Sequence, residues 1–257
     1  MVGAMLTWPT AVLAGCCIGL LMGFFGVGGS SVATPVLSLL GVPPLLAVAS
    51  PLPATIPAAM LAASSYVRRG EARPRAAAWS LLGGVPSTIA GAFASRWVGG
   101  RALLVTSGLV LVVVGARVLR PVDEAARAAG NRRRLNRPVL VAAAGGVGFF
   151  TGLLANGGGF LLVPLYVLVF GLRMRQAVGT SLVVVAGLSV PTLGVHWALG
   201  HIDWAVAVPF AAGVLPASLG GSVLAQRIHG PALRRAFGLF LVAFGLCFTL
   251  LRLVGVA

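Results

Sequence analysis

The sequence predicts an all-α polytopic membrane protein. It is built as two inverted repeats of about five apolar segments each, with short broken or re-entrant helices near the membrane midplane. Three observations predict this. Only 9% of the residues are charged and 58% are hydrophobic, whereas a soluble domain uses about a quarter charged residues to face water. Several apolar stretches approach the ~20 residues that a helix needs to cross a bilayer. The first half of the chain also matches the second at an offset of about 130 residues.

The repeat is carried by ordered glycines and prolines. Gly19, Gly23, Gly28, Gly29 and Pro35 fall on Gly148, Gly152, Gly157, Gly158 and Pro164, 129 residues later. After a one-residue insertion, Gly41, Ala47, Val48 and Leu52 fall on Gly171, Ala177, Val178 and Leu182, and Gly70, Pro86, Gly91 and Gly115 on Gly200, Pro216, Gly221 and Gly245. The apolar segments of the first half run over roughly 9–26, 31–41, 45–67, 76–97 and 102–119. Those of the second run over roughly 138–155, 160–171, 176–199, 204–226 and 232–254. The domains are therefore a first transmembrane repeat, 1–119, a basic linker, 120–137, and a second transmembrane repeat, 138–257.

The net charge of +15 would by itself suggest a nucleic-acid partner. Its placement argues otherwise, because all 19 basic residues are arginines set in short loops between apolar segments. With the linker cytoplasmic and the segments crossing alternately, the loops around 68–75, 117–137, 173–175 and 227–235 lie inside. They hold 16 of the 19 arginines, the asymmetry that orients a membrane protein. Loop 68–75 is basic, while its counterpart 200–203 holds one acid and no arginine. Equivalent loops on opposite sides mean that the halves are inverted. The partners expected are thus a bilayer and a small anionic substrate, with no nucleic acid and with a homo-oligomer allowed. The expected location is the bacterial inner membrane.

The second segment of each half is only 11 or 12 residues, roughly 17 Å of helix against a ~30 Å hydrocarbon core. Between 6 and 10 full crossings are compatible with this. The stretch Met1 to Trp8 has no basic residue, so the first segment is expected to stay as a membrane helix and not to act as a signal peptide. Cys16, Cys17 and Cys247 have the spacing of neither a disulfide framework nor a zinc site.

Breaks at matching positions in two inverted halves are the strongest pointer to a substrate site. The first break reads Gly26-Val27-Gly28-Gly29-Ser30-Ser31 and the second Asn156-Gly157-Gly158-Gly159; each opens a short apolar helix that contains Pro35 or Pro164. Free N–H groups and the positive end of the helix dipole gather at such starts, which suits an anion. Ser30, Ser31 and Asn156 add side-chain donors. A second candidate is Ala177-Val178-Gly179-Thr180-Ser181 with its partner Ala47-Val48-Ala49-Ser50-Pro51. There the hydroxyls of Thr180, Ser181 and Ser50 read equally as helix caps or as anion ligands. Gly15, Gly19 and Gly23, and Ser87, Gly91 and Ser95, are four apart, as are their second-half partners around Gly148 and Gly221. These are helix-packing faces.

Other chemistry is excluded or weak. No G-x-x-x-x-G-K-[ST] is present and there is no lysine to complete one, which excludes ATP hydrolysis at such a loop. No cofactor is expected, and no enzyme activity. His196, His201 and Asp203 cluster near the outer face and could serve a membrane enzyme or bind a metal, though a structural pair accounts for them as well. The four acids, Glu71, Asp123, Glu124 and Asp203, all fall in loops or the linker, away from the midplane position of a carboxylate proton relay. The reading is a secondary transporter of a small anion, with a passive anion channel as the alternative.

The stretch Gly23-Phe24-Phe25-Gly26-Val27-Gly28-Gly29-Ser30 with Pro35, its copy from Gly152 to Gly159 with Pro164, the A-V-G-T-S run at 177–181 and the duplicated layout resemble the sulfite exporter TauE/SafE family over nearly the whole chain. The resemblance implies a bacterial inner-membrane permease for sulfite, sulfoacetate or a related sulfur-containing anion. Ser30 stands where a further glycine is usual, Asn156 interrupts the second glycine run, and Ser50-Pro51 replaces a Thr-Ser pair. These departures bear on the substrate and not on the fold.

Overall fold

The computed structural model describes residues 7–94, 100–120, 137–154 and 159–253. Among them every regular element is helical. The expected linker, apart from its first and last residues, lies outside the described residues, as do Asn156, Gly157 and Gly158 of the second break.

Helix α1, Trp8–Phe25, starts at a Thr7/Thr10 capping box with Pro9 in its first turn. It stops at Gly26, whose φ of 72° is left-handed. Helix α2 is Gly29–Leu39, and α3, Pro44–Ala49, leads into α4, Leu52–Arg68. The first half ends with α5, Pro74–Ala94, and α6, Gly100–Leu119. In the second half α7 is Arg137–Leu154, and α8, Gly159–Pro164, continues as a π-helical turn over Leu165–Val169. After it come α9, Met174–Ala198, α10, Trp204–Arg227, and α11, Gly230–Leu253. The expected segments are all present, with two local differences. The third segment is jointed at Ser50-Pro51, because Pro51 has no N–H to continue the ladder. The π turn begins directly after Pro164, which interrupts the α ladder in the same way.

Five stretches among the described residues are long and apolar enough to cross a membrane: Trp8–Phe25, Leu45–Arg68, Met174–Ala198, Trp204–Arg227 and Gly230–Cys247. Large apolar side chains such as Leu13, Met60, Leu82, Phe93, Leu224 and Leu239 are exposed around the bundle, as a lipid-facing surface requires. Trp8, Trp197 and Trp204 are exposed at helix ends, where tryptophan marks a membrane–water interface.

The halves are interlocked. Helix α1 packs mainly on α10, and α7 mainly on α5; α6 pairs with α11, and α4 with α9 and α10. The small-residue faces make these contacts. A β-carbon at Gly23 would overlap the Ser218 carbonyl, one at Gly148 would stand 2.8 Å from the Gly84 Cα, and one at Gly91 would overlap the Phe149 carbonyl. Backbone-to-backbone approach through small residues is how helices associate where lipid gives no hydrophobic drive.

Loops 130 residues apart repeat one another. Gly41 and Gly171 have φ of 86° and 64°, and Gly70 and Gly200 have 68° and 69°. The Glu71 N–H donates to the Tyr66 carbonyl at 2.9 Å, and the His201 N–H to the His196 carbonyl at 3.0 Å. The Arg73 N–H donates to Thr180 Oγ1 at 3.0 Å, and the Asp203 N–H to Ser50 Oγ at 3.1 Å.

Overpacking a closed helix contact typically costs about 1–3 kcal/mol. Gly23→Val should therefore lower the thermal midpoint of the detergent-solubilised protein by several degrees. Gly146→Val should change it little, because a β-carbon at Gly146 meets nothing within 4 Å. Equal midpoints for the two variants would show that the α1–α10 contact is not limiting.

Candidate functional site

The first glycine break leaves α1 without partners for its last carbonyls, the usual state of a helix end. Three carbonyls at this end are supplied from different sources. The Met22 carbonyl accepts the Gly26 N–H at 2.8 Å. The Gly23 carbonyl accepts the Tyr66 hydroxyl, from α4, at 3.1 Å. The Gly26 carbonyl accepts the Ser181 hydroxyl, from α9, at 3.0 Å, and the same hydroxyl lies 2.9 Å from the Val178 carbonyl of its own helix. Gly26 must be glycine twice over: its φ is left-handed, and a β-carbon would sit 2.6 Å from Ser181 Oγ.

The amide side of the break is built differently. Gly28, at the start of α2, offers no side chain to cap the first turn. Ser30 is fully buried and its carbonyl accepts the Thr34 hydroxyl at 2.9 Å; Ser31 follows in the same turn. A β-carbon at Gly29 would stand 3.4 Å from Thr55 Oγ1, a buried hydroxyl of α4. The start of α8 reaches this place from the other half. A β-carbon at Gly159 would overlap the Gly28 N–H and lie 2.7 Å from the Gly26 carbonyl oxygen. The two glycine-rich helix starts therefore abut. Gly26, Gly28, Gly29, Gly159 and Ser181 come together, and Thr55 and Tyr66 join them.

Thr180 and Ser50 do not. The Thr180 hydroxyl donates to the Gln176 carbonyl at 2.6 Å and accepts the Arg73 N–H. Ser50 accepts the Asp203 N–H at the other end of the bundle. Both hydroxyls tie a loop of the opposite half to a helix start. His196 and His201 meet through their Nδ1 atoms at 3.3 Å. The Asp203 carboxylate instead accepts the Ala205 N–H at 2.9 Å and caps α10, so it does not orient the imidazoles. Among the described residues no group of three or more His, Cys, Asp or Glu is placed to hold a metal.

The arginine loops also converge. A cavity of about 740 Å³ opens among the loops after α4, after α6, before α9 and before α11. Among the described residues it is lined by six arginines, one histidine and one acid, Glu71. Glu71 Oε1 meets Arg175 Nη1 at 3.3 Å, and Arg175 Nη2 donates to the Ile228 carbonyl at 2.8 Å. Arg234 is committed in part to the Val118 and Arg120 carbonyls at 2.9 and 3.0 Å. Tyr66 runs from this end of the bundle toward the break: its Cβ would lie 2.6 Å from a β-carbon at Gly179, and its hydroxyl reaches Gly23. The signal for this cavity in the sequence is its arginine-rich loops, which by themselves report only topology.

The family model for the sulfite exporter TauE/SafE matches residues 11–248. A probable membrane transporter protein of Xylella fastidiosa (strain 9a5c) is 30% identical over 242 residues, covering 90% of each chain. The probable membrane transporter protein YjnA of Bacillus subtilis (strain 168) is 26% identical over 251 residues, covering 91% of this chain and 97% of its own. No solved structure matches the chain. The relatives are named as transporters and not as enzymes, and the match extends across α1 to α11, with both glycine breaks inside it: the chain belongs to the sulfite exporter TauE/SafE family of membrane transporters.

Proposed function

We propose that this chain is a secondary transporter that carries a small sulfur-containing anion, such as sulfite or sulfoacetate, out across the bacterial inner membrane, and that the abutting glycine breaks are its binding site. The observation that carries the reading is the placement of Gly159 against Gly28. Two helix starts, each the positive end of a helix dipole, meet there, and such ends suit an anion beside them. Two carbonyls at the break, those of Gly23 and Gly26, are held by Tyr66 and Ser181, and the adjoining helix starts offer amide groups to a ligand. The family's description as a sulfite exporter supports the substrate class.

The frame for this site is a pair of inverted repeats, 1–119 and 138–257, joined by a cytoplasmic linker. The matching loop geometries at 41/171 and 70/200, and the exchanged packing of α1 on α10 and α7 on α5, support it. Convergence of the arginine loops on one cavity supports a single cytoplasmic face. An interior-negative potential drives each negative charge outward by ~2.3 kcal/mol per 100 mV, and a dianion by about twice that. Export therefore needs no carboxylate relay, and the acids among the described residues, Glu71 and Asp203, lie at loops and not midway along a membrane helix.

Flux of sulfite, thiosulfate, sulfoacetate and chloride into proteoliposomes, with and without an imposed potential, tests the transport reading. Saturable, potential-sensitive flux of one sulfur anion is expected. Flux that never saturates would identify a channel instead, and no flux from folded protein would remove the case for the site. Gly159→Val should abolish flux while the protein still assembles. Ser181→Ala, which removes one hydrogen bond of ~1 kcal/mol from the Gly26 carbonyl, should weaken apparent affinity roughly fivefold. Unchanged kinetics in both variants would place the site elsewhere. For the topology, Asn131→Cys in a cysteine-free background should react with an impermeant maleimide in inverted vesicles but not in intact cells, and His201→Cys the reverse. Labelling of both from one side would contradict the inverted arrangement.

A further inference from the structure

The arginine-lined cavity holds an ion pair that is poorly made. Arg175 and Glu71 meet through a single 3.3 Å contact, long for a charge-assisted hydrogen bond, which usually spans ~2.7–2.9 Å. The remaining polar atoms of the pair are not exposed to water either: Glu71 Oε2 and Arg175 Nε are both buried and have no hydrogen-bond partner among the described residues. Arg175 is otherwise fixed by the donation of Nη2 to the Ile228 carbonyl, so its guanidinium is held in place and not free to find a better partner. Around it the cavity carries Arg69, Arg120, Arg173 and Arg235, with Glu71 as the one acid among the described residues. A wall of one sign within a low-dielectric cleft concentrates counter-ions. A guanidinium with a fixed orientation and an unused donor is suited to an oxyanion.

We propose that this cavity is an oxyanion site distinct from the glycine breaks, in which Arg175 is the ligand and Glu71 is a tethered carboxylate that occupies Arg175 until a free oxyanion replaces it. The proposal rests on the anion reading above and adds a second site to it. The ligand class is a small tetrahedral or pyramidal oxyanion with at least two acceptor oxygens: one for Arg175 Nη1, where Glu71 now sits, and one for the neighbouring arginines of the cavity. Sulfite or sulfate has that chemistry, and so does the phosphate of a lipid headgroup. Glu71 competes because its tethered carboxylate already takes Nη1. Its place in the loop directly after α4 puts it one turn from Tyr66, whose hydroxyl holds the Gly23 carbonyl at the first break. Release of Glu71 is thus connected through that short loop to the end of α1.

The test is the affinity of the full-length protein for sulfite, with inorganic sulfate as a second probe, measured by calorimetry in neutral detergent. Glu71→Gln removes the competing charge and should tighten binding at least fivefold. Arg175→Gln should weaken it tenfold or more, with Arg175→Lys between the two. A gain in affinity cannot arise from misfolding, so Glu71→Gln decides the matter even where an Arg175 variant assembles poorly. Unchanged or weaker binding by Glu71→Gln overturns the proposal. Repeating the titration in nanodiscs of phosphatidylcholine with and without phosphatidylglycerol identifies the source. Loss of sulfite affinity with phosphatidylglycerol assigns the site to a headgroup phosphate, and no loss assigns it to a free anion; both require the Glu71→Gln gain. The two sites fail separately. If Gly159→Val stops flux while Glu71→Gln and Arg175→Gln leave affinity unchanged, the cavity site falls and the transport reading stands. If the Glu71 and Arg175 effects appear while Gly159→Val transports normally, the cavity site stands and the glycine site falls.

Discussion

Hydrocarbon offers no hydrogen bonds, so each backbone polar group placed in it must be satisfied by the protein itself. A helix that stops inside a bundle leaves its last carbonyls, and the first amides of the next helix, to be satisfied by other groups. Much of this molecule is arranged around that requirement. Tyr66 and Ser181 come from helices of different halves to hold the carbonyls of Gly23 and Gly26. Their positions fix how α4 and α9 stand against α1, and the close helix contacts through glycine keep them there. At the start of the next helix, Gly28 supplies no side-chain cap.

Polar groups elsewhere in the bundle obey the same accounting of donors and acceptors. Thr88, Thr151 and Thr192 return their hydroxyls to carbonyls four residues earlier in their own helices, so each is neutralised locally and asks nothing of a neighbour. Ser65, Ser222 and Gln226 bond to one another between α4 and α10, and Tyr166 donates to Ser80 at 2.7 Å between the π turn after α8 and α5. Serine and threonine dominate the buried polar residues, consistent with a core in which charge is confined to the ends.

Much of this is readable in the chain. Apolar runs separated by glycine, proline and arginine give the described helices to within a few residues, apart from the joint at Ser50-Pro51, because in a membrane protein the same hydropathy decides both where a helix is and where it stops. Gly26 and Gly159 are legible as break residues since the repeat places them at matching breaks. Thr180 and Ser50 look equivalent to Ser181, yet only Ser181 faces the break; one position along a helix turns a side chain by about 100°, and hydropathy does not record which way. Tyr66 is not legible at all, since its partner is 43 residues away in sequence. Nor is the pairing of Glu71 with Arg175, 104 residues apart. Arginine spacing along the chain reports a side of the membrane and is silent on which loops meet there.

The exchange of partners between halves has a consequence for biosynthesis. Helix α1 finds its main packing surface on α10, which is made nearly two hundred residues later. At about 5–20 residues per second, its glycine face waits roughly 10–40 s in the bilayer before that surface exists. During that interval the Gly15, Gly19 and Gly23 stripe lacks its native neighbour, and so do the carbonyls at its end that Ser181 must reach. Until then lipid is the neighbour left to that face, and the second half completes the first as it is released.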